Sequence, residues 1–333
     1  MKILVIRFSS IGDIVLTTPV VRCIKKQLPE TELHYVTKAA FEDVLKHNPY
    51  IDKLWLLKDN FAALAKQLRQ EHFDYVVDLH GTLRSWRLRL TLHRPAATFP
   101  KLNLRKALLV HFKLNLMPKV HIVDRYFCAA RKLKVKNDGQ GLDFFLPNSP
   151  QSPANTIAVV LGGKHATKQM PVNKLVEVLS RLQNRLPEYN FLLLGGKEDR
   201  PLGERIHERL GHTQRVQNTC GECSIAGSAS LLATASVVIT GDTGMMHISA
   251  ALNRPIVSVW GNTVPDLGMY PYMPLHPERF CIVEAQDVSC RPCSKLGYPQ
   301  CPKGHFKCMN NIATDRIVEA TLQLLSQNEN AAN

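Results

Sequence analysis

Along the chain, short apolar runs alternate with segments in which apolar residues recur at the 3.6-residue period of a helix. The opening run KILVIRF at 2–8 is apolar, the loop SSIGD follows at 9–13, and an amphipathic pattern continues to about Leu28, where Pro29 ends it. A short apolar run predicts a strand, and the 3.6-residue period after it predicts a helix. The chain therefore begins with a strand-loop-helix unit.

Similar units fill the rest of the chain. Strand-like runs occur at 32–37, 53–57, 75–81, 156–163, 190–196, 236–242 and 255–261, with helical patterns after or between them. This alternation predicts an α/β protein with parallel, doubly wound sheets. The Pro/Ser/Asn-rich run NSPQSPANT at 148–156 separates the two halves. It breaks the hydrophobic periodicity and marks a domain boundary.

We therefore predict two Rossmann-like domains with a cleft between them, the GT-B architecture. The first covers 1–150 and binds an acceptor, and the second covers 151–312 and binds a nucleotide sugar. A last helix over 313–327 is predicted to pack back on the N-terminal domain. The length of 333 residues and the 45% hydrophobic content suit two separate cores.

The charge balance narrows the choice of partners. Forty-two Lys and Arg residues against 28 Asp and Glu give a net charge of +14. Many of the basic residues lie between 84 and 136, which suits nucleic acid, phospholipid headgroups or a phosphorylated glycolipid, or else an ordinary solvated face. With 7% aromatic residues and no recognisable nucleic-acid-binding motif, we expect no nucleic-acid partner.

No run approaches the ~18 apolar residues of a membrane span, and no signal peptide opens the chain, so we expect a cytoplasmic protein.

The loop after the first strand carries the first candidate for chemistry. It lacks the G-x-G-x-x-G pattern of dinucleotide binding, since Gly12 is its one glycine. Asp13 would repel phosphate there, but it is suited to accept a proton from an acceptor hydroxyl. The alternative is a carboxylate that caps the helix.

The strand-like run at 236–242 leads into a second candidate site. Thr243 and Gly244 at the start of a helix are placed to bind a diphosphate through a hydroxyl and unpaired N–H groups, and His247 lies one turn on. A capping role for Asp242 and Thr243, with His247 in the core, is the alternative.

The loop after 156–163 adds a positive charge. Lys168 in this loop is placed to neutralise a phosphate. The run GGKHAT lacks the upstream glycine and the Gly-Lys-Ser/Thr end of a P-loop, so a P-loop is excluded.

Four cysteines are grouped in the segment 290–308. Cys290, Cys293, Cys301 and Cys308 have spacing C-x2-C-x7-C-x6-C, and four thiolates suit a structural zinc site. His305 is a competing ligand. Free thiols or a disulfide are the alternatives.

Several motifs together resemble the ADP-heptose:lipopolysaccharide heptosyltransferase family, glycosyltransferase family 9. They are KILVIRFSSIGDIVLTTPVVRCIKK at the start, DLHGTLRS at 78–85, HIVDRYF at 121–127, KQMP at 168–171 and GDTGMMHISAALNRPIVSVWGNTVPD at 241–266. The resemblance spans most of the chain.

The resemblance implies a GT-B fold and inverting transfer of heptose from ADP-heptose to the Kdo/heptose inner core of lipopolysaccharide, with no cofactor required for catalysis. By resemblance, Asp13 is the general base. The implied donor-binding residues are Lys168, Asp242, Thr243, Gly244 and His247. The predicted acceptor contacts, which lie within three of the motifs, are Ser10, Gly12, Arg84 and Arg125.

The resemblance also implies where the protein works. The partners are an ADP-sugar donor and an acidic glycolipid acceptor at the inner membrane surface. We expect a cytoplasmic protein that associates peripherally with the cytoplasmic face of that membrane. One alternative is a family 9-like transferase with a different nucleotide sugar or a different surface glycan acceptor. A second, less favoured alternative is a basic nucleic-acid-binding protein that is not an enzyme.

Overall fold

The computed structural model describes residues 1–147 and 155–332. The chain divides into two compact units, which we call the first unit (Met1–Leu102 and Val120–Pro147) and the second unit (Asn103–Lys119 and Asn148–Asn333). The predicted boundary between residues 150 and 151 lies outside the described residues. The cleft predicted between the domains stays a prediction.

The segment 103–119 is the main departure from the predicted domains. We expected it in the first domain, but it clusters with the second unit. Polar contacts explain this: Lys113 Nζ donates to the carbonyl oxygens of Cys290 and Pro292 at 3.0 and 2.8 Å, and Asn115 Nδ2 donates to Asp266 Oδ1 at 2.7 Å.

The first unit is built on one parallel sheet. Within residues 1–147 its strands are β1 Lys2–Ile6, β2 Glu32–Lys38, β3 Lys53–Leu57, β4 Tyr75–Asp78 and β5 Ala96–Thr98, in the order β3-β2-β1-β4-β5. The helices of this range are α1 Ile11–Val15, α2 Thr18–Gln27, α3 Phe61–Gln70, α4 Leu83–Leu92, α5 Asn103–Phe112 and α6 Ile122–Tyr126. Of these, α5 belongs to the second unit.

The core of the first unit follows from its apolar strands. Leu4 and Ile6 of β1 are fully buried and pack with Leu68 of α3 and Leu88 of α4. Helices cover a parallel sheet, so its strands read as continuous apolar runs. Burial of each such side chain contributes on the order of 1.5–3 kcal/mol.

The predicted first helix is interrupted in the structure. We expected one helix to about Leu28, but α1 ends at Val15 and α2 begins at Thr18. Pro19 stands in the first turn of α2, and proline has no N–H to donate to an earlier carbonyl. The Thr18 hydroxyl instead donates to the carbonyl oxygen of Val15 at 2.7 Å.

The second unit contains a second parallel sheet. Between residues 155 and 332 its strands are β6 Thr156–Val160, β7 Asn190–Leu194, β8 Val216–Asn218, β9 Val237–Gly241, β10 Ile256–Trp260 and β11 Phe280–Glu284, in the order β11-β10-β9-β6-β7-β8. The helices of this range are α7 Val172–Arg185, α8 Arg200–Arg209, α9 Ile225–Thr234, α10 Gly244–Ala251, α11 Lys307–Asn310 and α12 Thr314–Ala332. Among the described helices, none has both the length and the apolar character to cross a membrane.

The last helix packs on its own unit. Ile317, Val318 and Leu324 of α12 lie in the same buried cluster as Leu182 of α7 and Val257 of β10. The predicted packing of this helix on the N-terminal domain stays a prediction.

In each sheet, the order of the strands reverses at one point. The order reverses between β1 and β4 in the first unit and between β6 and β9 in the second. In open α/β sheets, ligands bind at such switch points, beyond the carboxyl ends of the strands. The loops after β1, β4, β6 and β9 are therefore the places to look for a site.

Candidate active site

Asp13 lies at the switch point of the first sheet. It is the third residue of α1, which begins five residues after β1 ends. The Ser10 backbone N–H and hydroxyl donate to Asp13 Oδ2 at 3.2 and 2.8 Å. The helix-capping contact that the sequence left open is therefore present. Both hydrogen bonds use Oδ2, so Asp13 Oδ1 can bind another residue.

Arg7 binds the other oxygen of this carboxylate. Its guanidinium Nη2 lies 2.6 Å from Asp13 Oδ1, and its Nε donates to the carbonyl oxygen of Ser9 at 2.7 Å. Burial alone would raise the pKa of Asp13, but the Arg7 charge and the Ser10 hydrogen bonds outweigh it and hold that pKa below its usual range. The Asp13 side chain keeps 23% exposure. Asp13 is thus an oriented, ionised carboxylate that solvent still reaches.

His80 is a neighbour of this pair that the sequence analysis did not single out. It follows β4, and its ring packs edge-on against Phe8 at 5.3 Å. Burial, with the charges of Arg7 and Lys101, lowers the pKa of His80 to about 3, although the Asp13 charge opposes the shift. Its Nδ1 is buried without a hydrogen-bond partner among the described residues. His80 is therefore a neutral imidazole with an unused polar atom.

Asp78 at the end of β4 shapes the loop that carries His80. Its Oδ1 accepts from the backbone N–H groups of His80 and Gly81 at 2.9 and 2.8 Å. Gly81 has a φ of +57°, a conformation that glycine adopts without steric cost. The motif DLHG, placed directly after a central strand, is the signal from which His80 could have been found.

The predicted acceptor residues occupy different environments. Ser10 caps Asp13, and Gly12 is buried within α1. Arg84 is exposed in the first turn of α4, and its charge reaches His80. Arg125 is 4% exposed and lies beside Tyr126 in the interior of the unit, away from an open surface. Acceptor contact by these four residues stays a prediction.

Lys168 and Asp242 meet at the switch point of the second sheet. Lys168 Nζ lies 2.6 Å from Asp242 Oδ2, and the Thr263 hydroxyl donates to the same oxygen at 2.9 Å. These residues come from the loops after β6, β9 and β10, which are adjacent strands. The side chains of Lys168 and Asp242 are 16% and 13% exposed. The pair is therefore held in place and remains open to a ligand.

The amino end of α10 lies directly after Asp242. Thr243 has extended backbone at the cap position, and among the described residues no side-chain cap bond from it is formed. Its hydroxyl instead pairs with the Thr240 hydroxyl at 3.2 Å. The helix begins at Gly244, so the first-turn N–H groups need an outside acceptor. An anion satisfies these groups and is attracted by the helix dipole.

Close backbone approach brings the loops of the second site together. A Cβ on Gly241 would lie 2.6 Å from the Lys168 carbonyl oxygen, and a Cβ on Gly162 would lie 2.3 Å from Asp199 Oδ2. The Lys168 carbonyl belongs to the backbone and cannot move aside cheaply, so position 241 requires glycine. At position 162 the end of the Asp199 side chain would have to move. Gly241 therefore lets the loops after β6 and β9 pack closely, in the region where Lys168 reaches Asp242.

His247 is placed differently from the rest of the predicted donor motif. It is the fourth residue of α10 and is 2% exposed. Of the two interpretations that the sequence left open, this burial favours the core histidine. Contact between His247 and the donor stays a prediction.

The four clustered cysteines lie together in the second unit as free thiols. Burial, together with the neighbouring thiols Cys290 and Cys301, raises the pKa of Cys293 and of Cys308 to about 11. Four neighbouring thiols are suitable ligands for one metal ion. In the described part of the chain, however, no three of these sulfurs lie within 4.8 Å of one another. Metal binding would draw them together, because Zn–S bonds are about 2.3 Å long.

A different group of potential metal ligands lies in the first unit, at the amino end of β2. Glu32, His34 and Glu71 bring their ligand atoms within 4.8 Å of one another. Lys2 lies 2.9 Å from Glu71 and 3.4 Å from Glu32, and Lys53 lies 2.5 Å from Glu71. The lysines balance both carboxylates, so the cluster is explained as an ion-pair network.

Comparison with known proteins identifies the family of the chain. The model of glycosyltransferase family 9 (heptosyltransferase) matches residues 61–297. The sequence is 26% identical over 289 residues to lipopolysaccharide heptosyltransferase 1 of Campylobacter coli, which covers 79% of this chain and 84% of that protein.

Two solved structures resemble the chain over nearly its full length. The E. coli ADP-heptose lps heptosyltransferase II has a TM-score of 0.73 at 21% identity, covering 99% of this chain and 100% of that one. The E. coli heptosyltransferase WaaC with ADP-2-deoxy-2-fluoro heptose has a TM-score of 0.72 at 19% identity, covering 98% and 100%. The fold is GT-B, as predicted. Because the family model matches well over half of its residues, the chain belongs to glycosyltransferase family 9 (heptosyltransferase) and is a glycosyltransferase.

Proposed function

We propose that the chain transfers a heptose from ADP-heptose to the Kdo/heptose inner core of lipopolysaccharide, with inversion at the anomeric carbon. The relatives support the substrates, since one is named lipopolysaccharide heptosyltransferase 1 and another was solved with an ADP-heptose analogue. The observation that carries the proposal is the Lys168–Asp242 pair beside the open amino end of α10.

The donor diphosphate binds at this end of α10. The N–H groups of the first turn and the Thr243 hydroxyl donate to its oxygens, and Gly244 allows close approach. Lys168 supplies the positive charge. Asp242 carries the same charge as phosphate, so its role is to hold Lys168 Nζ and the Thr263 hydroxyl in position.

Asp13 acts as the general base. It removes the proton from the acceptor hydroxyl while that oxygen bonds to the anomeric carbon and the bond from that carbon to the ADP oxygen breaks. The proton ends on Asp13, and one displacement inverts the configuration. Arg7 and Ser10 keep the carboxylate ionised and oriented before the reaction.

The departing ADP is stabilised without a catalytic cation. Its developing charge falls on Lys168 and on the N–H groups of α10, which are fixed in place before the reaction. This arrangement is the physical basis for proposing a metal-independent reaction.

The remaining proposals concern the surroundings of the reaction. The net charge of +14 suits an acceptor that carries carboxylates and phosphates at the cytoplasmic face of the inner membrane. In the second unit, Cys290, Cys293, Cys301 and Cys308 would hold a structural zinc that braces an irregular loop and takes no part in sugar transfer.

Nucleotide titration tests the donor site. Calorimetry in EDTA with ADP, UDP and GDP should show selective binding of ADP. Lys168→Ala should weaken ADP binding by at least about tenfold and adenosine binding by less than about twofold, because a phosphate contact is lost. The matched control is Lys164→Ala, which removes an exposed lysine from the same loop.

Other results of these titrations would change the proposal. Equal weakening of ADP and adenosine, or an equal effect of Lys164→Ala, refutes the phosphate contact at Lys168. Preference for UDP or GDP means a transferase with a different donor.

A further inference from the structure

Helix α4 of the first unit presents apolar side chains to the outside. Leu83 is 81% exposed, and Trp86 and Leu90 are each 51% exposed. The residues that α4 buries are Ser85, Leu88 and Leu92. An exposed patch of this kind, in which an indole stands between two leucines, marks an interaction surface more often than scattered single residues do.

The spacing of these residues reverses the usual pattern of a surface helix. At about 100° per residue, Leu83, Trp86 and Leu90 fall within roughly 60° of arc, about 160° from the centre of the buried face. A surface helix of a globular protein normally has its polar residues there. In α4 the side furthest from the core is therefore the apolar one.

Arginines flank the apolar stripe. Arg84 and Arg87 are exposed on α4. Arg69 and Arg94 line a surface depression together with Trp86 and Leu90 of the stripe. Apolar residues between arginines characterise helices that lie in the plane of a membrane surface, where tryptophan prefers the headgroup level.

We infer that the α4 face binds the surface of an anionic phospholipid bilayer. Leu83, Trp86 and Leu90 enter the boundary between headgroups and acyl chains, and the flanking arginines contact lipid phosphates. The inference deepens the proposed function, since it names the surface on which a lipid-linked acceptor is met. Gly81 and Thr82 join the amino end of α4 to His80, so this face adjoins the Asp13 edge of the sheet.

Charge favours a bilayer over a second copy of the chain. In a two-fold symmetric pair, the same patch would face itself and would bring Arg84 and Arg87 against identical arginines. Each protomer also carries a net charge of +14. Anionic headgroups supply the opposite charge, and apolar chains beneath them cover the leucines and the indole.

Vesicle co-sedimentation without donor or acceptor tests the inference. The protein should bind vesicles of phosphatidylglycerol and phosphatidylethanolamine, bind phosphatidylcholine vesicles at least about tenfold more weakly, and lose binding in high salt. Leu83→Ser with Leu90→Ser should weaken binding to the anionic vesicles by at least about tenfold. Leu275→Ser is the matched control, because Leu275 is 56% exposed in the second unit.

Three results would contradict binding of the α4 face to a bilayer. The inference is overturned if the wild type ignores anionic vesicles or if the double variant binds them as the wild type does. It is also overturned if the substitutions dissolve a dimer and leave vesicle binding unchanged. An unchanged cooperative thermal unfolding transition of the double variant checks that the fold is intact. Since lipid binding is measured without ADP-heptose, its failure is distinguishable from a failure of the proposed transfer.

Discussion

At the scale of single residues, Asp13 owes its charge state to two neighbours in its own strand-loop-helix segment, Arg7 and Ser10. Burial favours its neutral form, and Arg7 and Ser10 reverse that preference. The same Arg7 charge acts with burial to keep His80 neutral. One guanidinium thus prepares both a carboxylate that can accept a proton and an imidazole that does not compete with it.

The His80 environment predicts a pH dependence of stability. The pKa of His80 is about 3 in the folded chain against an ordinary 6.5, so the unfolded chain binds more protons between these values. The contribution of His80 to the free energy of unfolding is full above pH 6.5 and declines as the pH falls toward 3. The decline is at most about 1.4 kcal/mol per pH unit.

Urea unfolding between pH 7 and pH 4.5 measures this effect. His80→Gln should lose less stability across that range than the wild type. The matched control is His47→Gln, which removes an exposed histidine from the same unit. An identical pH slope in His80→Gln and in the wild type contradicts the neutral imidazole.

The sequence predicted some of these residues and missed others for a physical reason. Asp13 was found because an apolar strand, a short loop and a helix start are all local signals. The contact between Lys168 and Asp242 spans 74 positions and exists because β6 and β9 are neighbours. The state of His80 depends on Arg7 and Lys101, which folding alone brings near it. Perturbation of this kind leaves no pattern in a sequence.

At the scale of elements, long apolar runs were predictable and short edge elements were not. The sequence analysis anticipated β1, β6 and β9, whose residues are nearly all buried. It did not identify β5 and β8, which are three residues long and only partly buried, or the edge strand β11, whose five residues are mostly half-buried. Such strands are defined by the neighbour they pair with, and their own hydrophobic pattern is too short to read.

The cysteine loop is an element whose stability should depend on metal. If zinc binds the four thiols, the purified protein should contain about one zinc per chain, and chelation should lower the melting temperature by several degrees. The Cys301→Ser variant should show the same loss without chelator. The control is Cys223→Ser, an exposed cysteine outside the cluster.

Elemental analysis and thermal melts check this prediction together. A metal-free protein whose melting temperature is unchanged by chelator would remove the zinc proposal and leave four free thiols. Chelation should not abolish sugar transfer at temperatures where the protein stays folded, because the zinc is proposed as structural.

At the scale of the whole molecule, one α/β plan is used twice. Each sheet has a central strand, a reversal of strand order and a polar loop beyond the reversal. The first unit holds the carboxylate Asp13 at that point, and the second holds Lys168 beside a helix amino end. The alternating pattern predicted this plan. The position of 103–119 was not predictable, because its contacts lie more than 150 residues away along the chain.

The most direct test of the account is transfer by Asp13→Asn with ADP-heptose and a lipopolysaccharide inner-core acceptor, with product measured by mass spectrometry. The account predicts a loss in kcat of about a thousandfold, within the usual range for a missing general base, and ADP affinity within about twofold of wild type. Asp59→Asn, at an exposed carboxylate of the same unit, should transfer at the wild-type rate. Transfer by Asp13→Asn within about tenfold of wild type would contradict the assignment of Asp13 as the base.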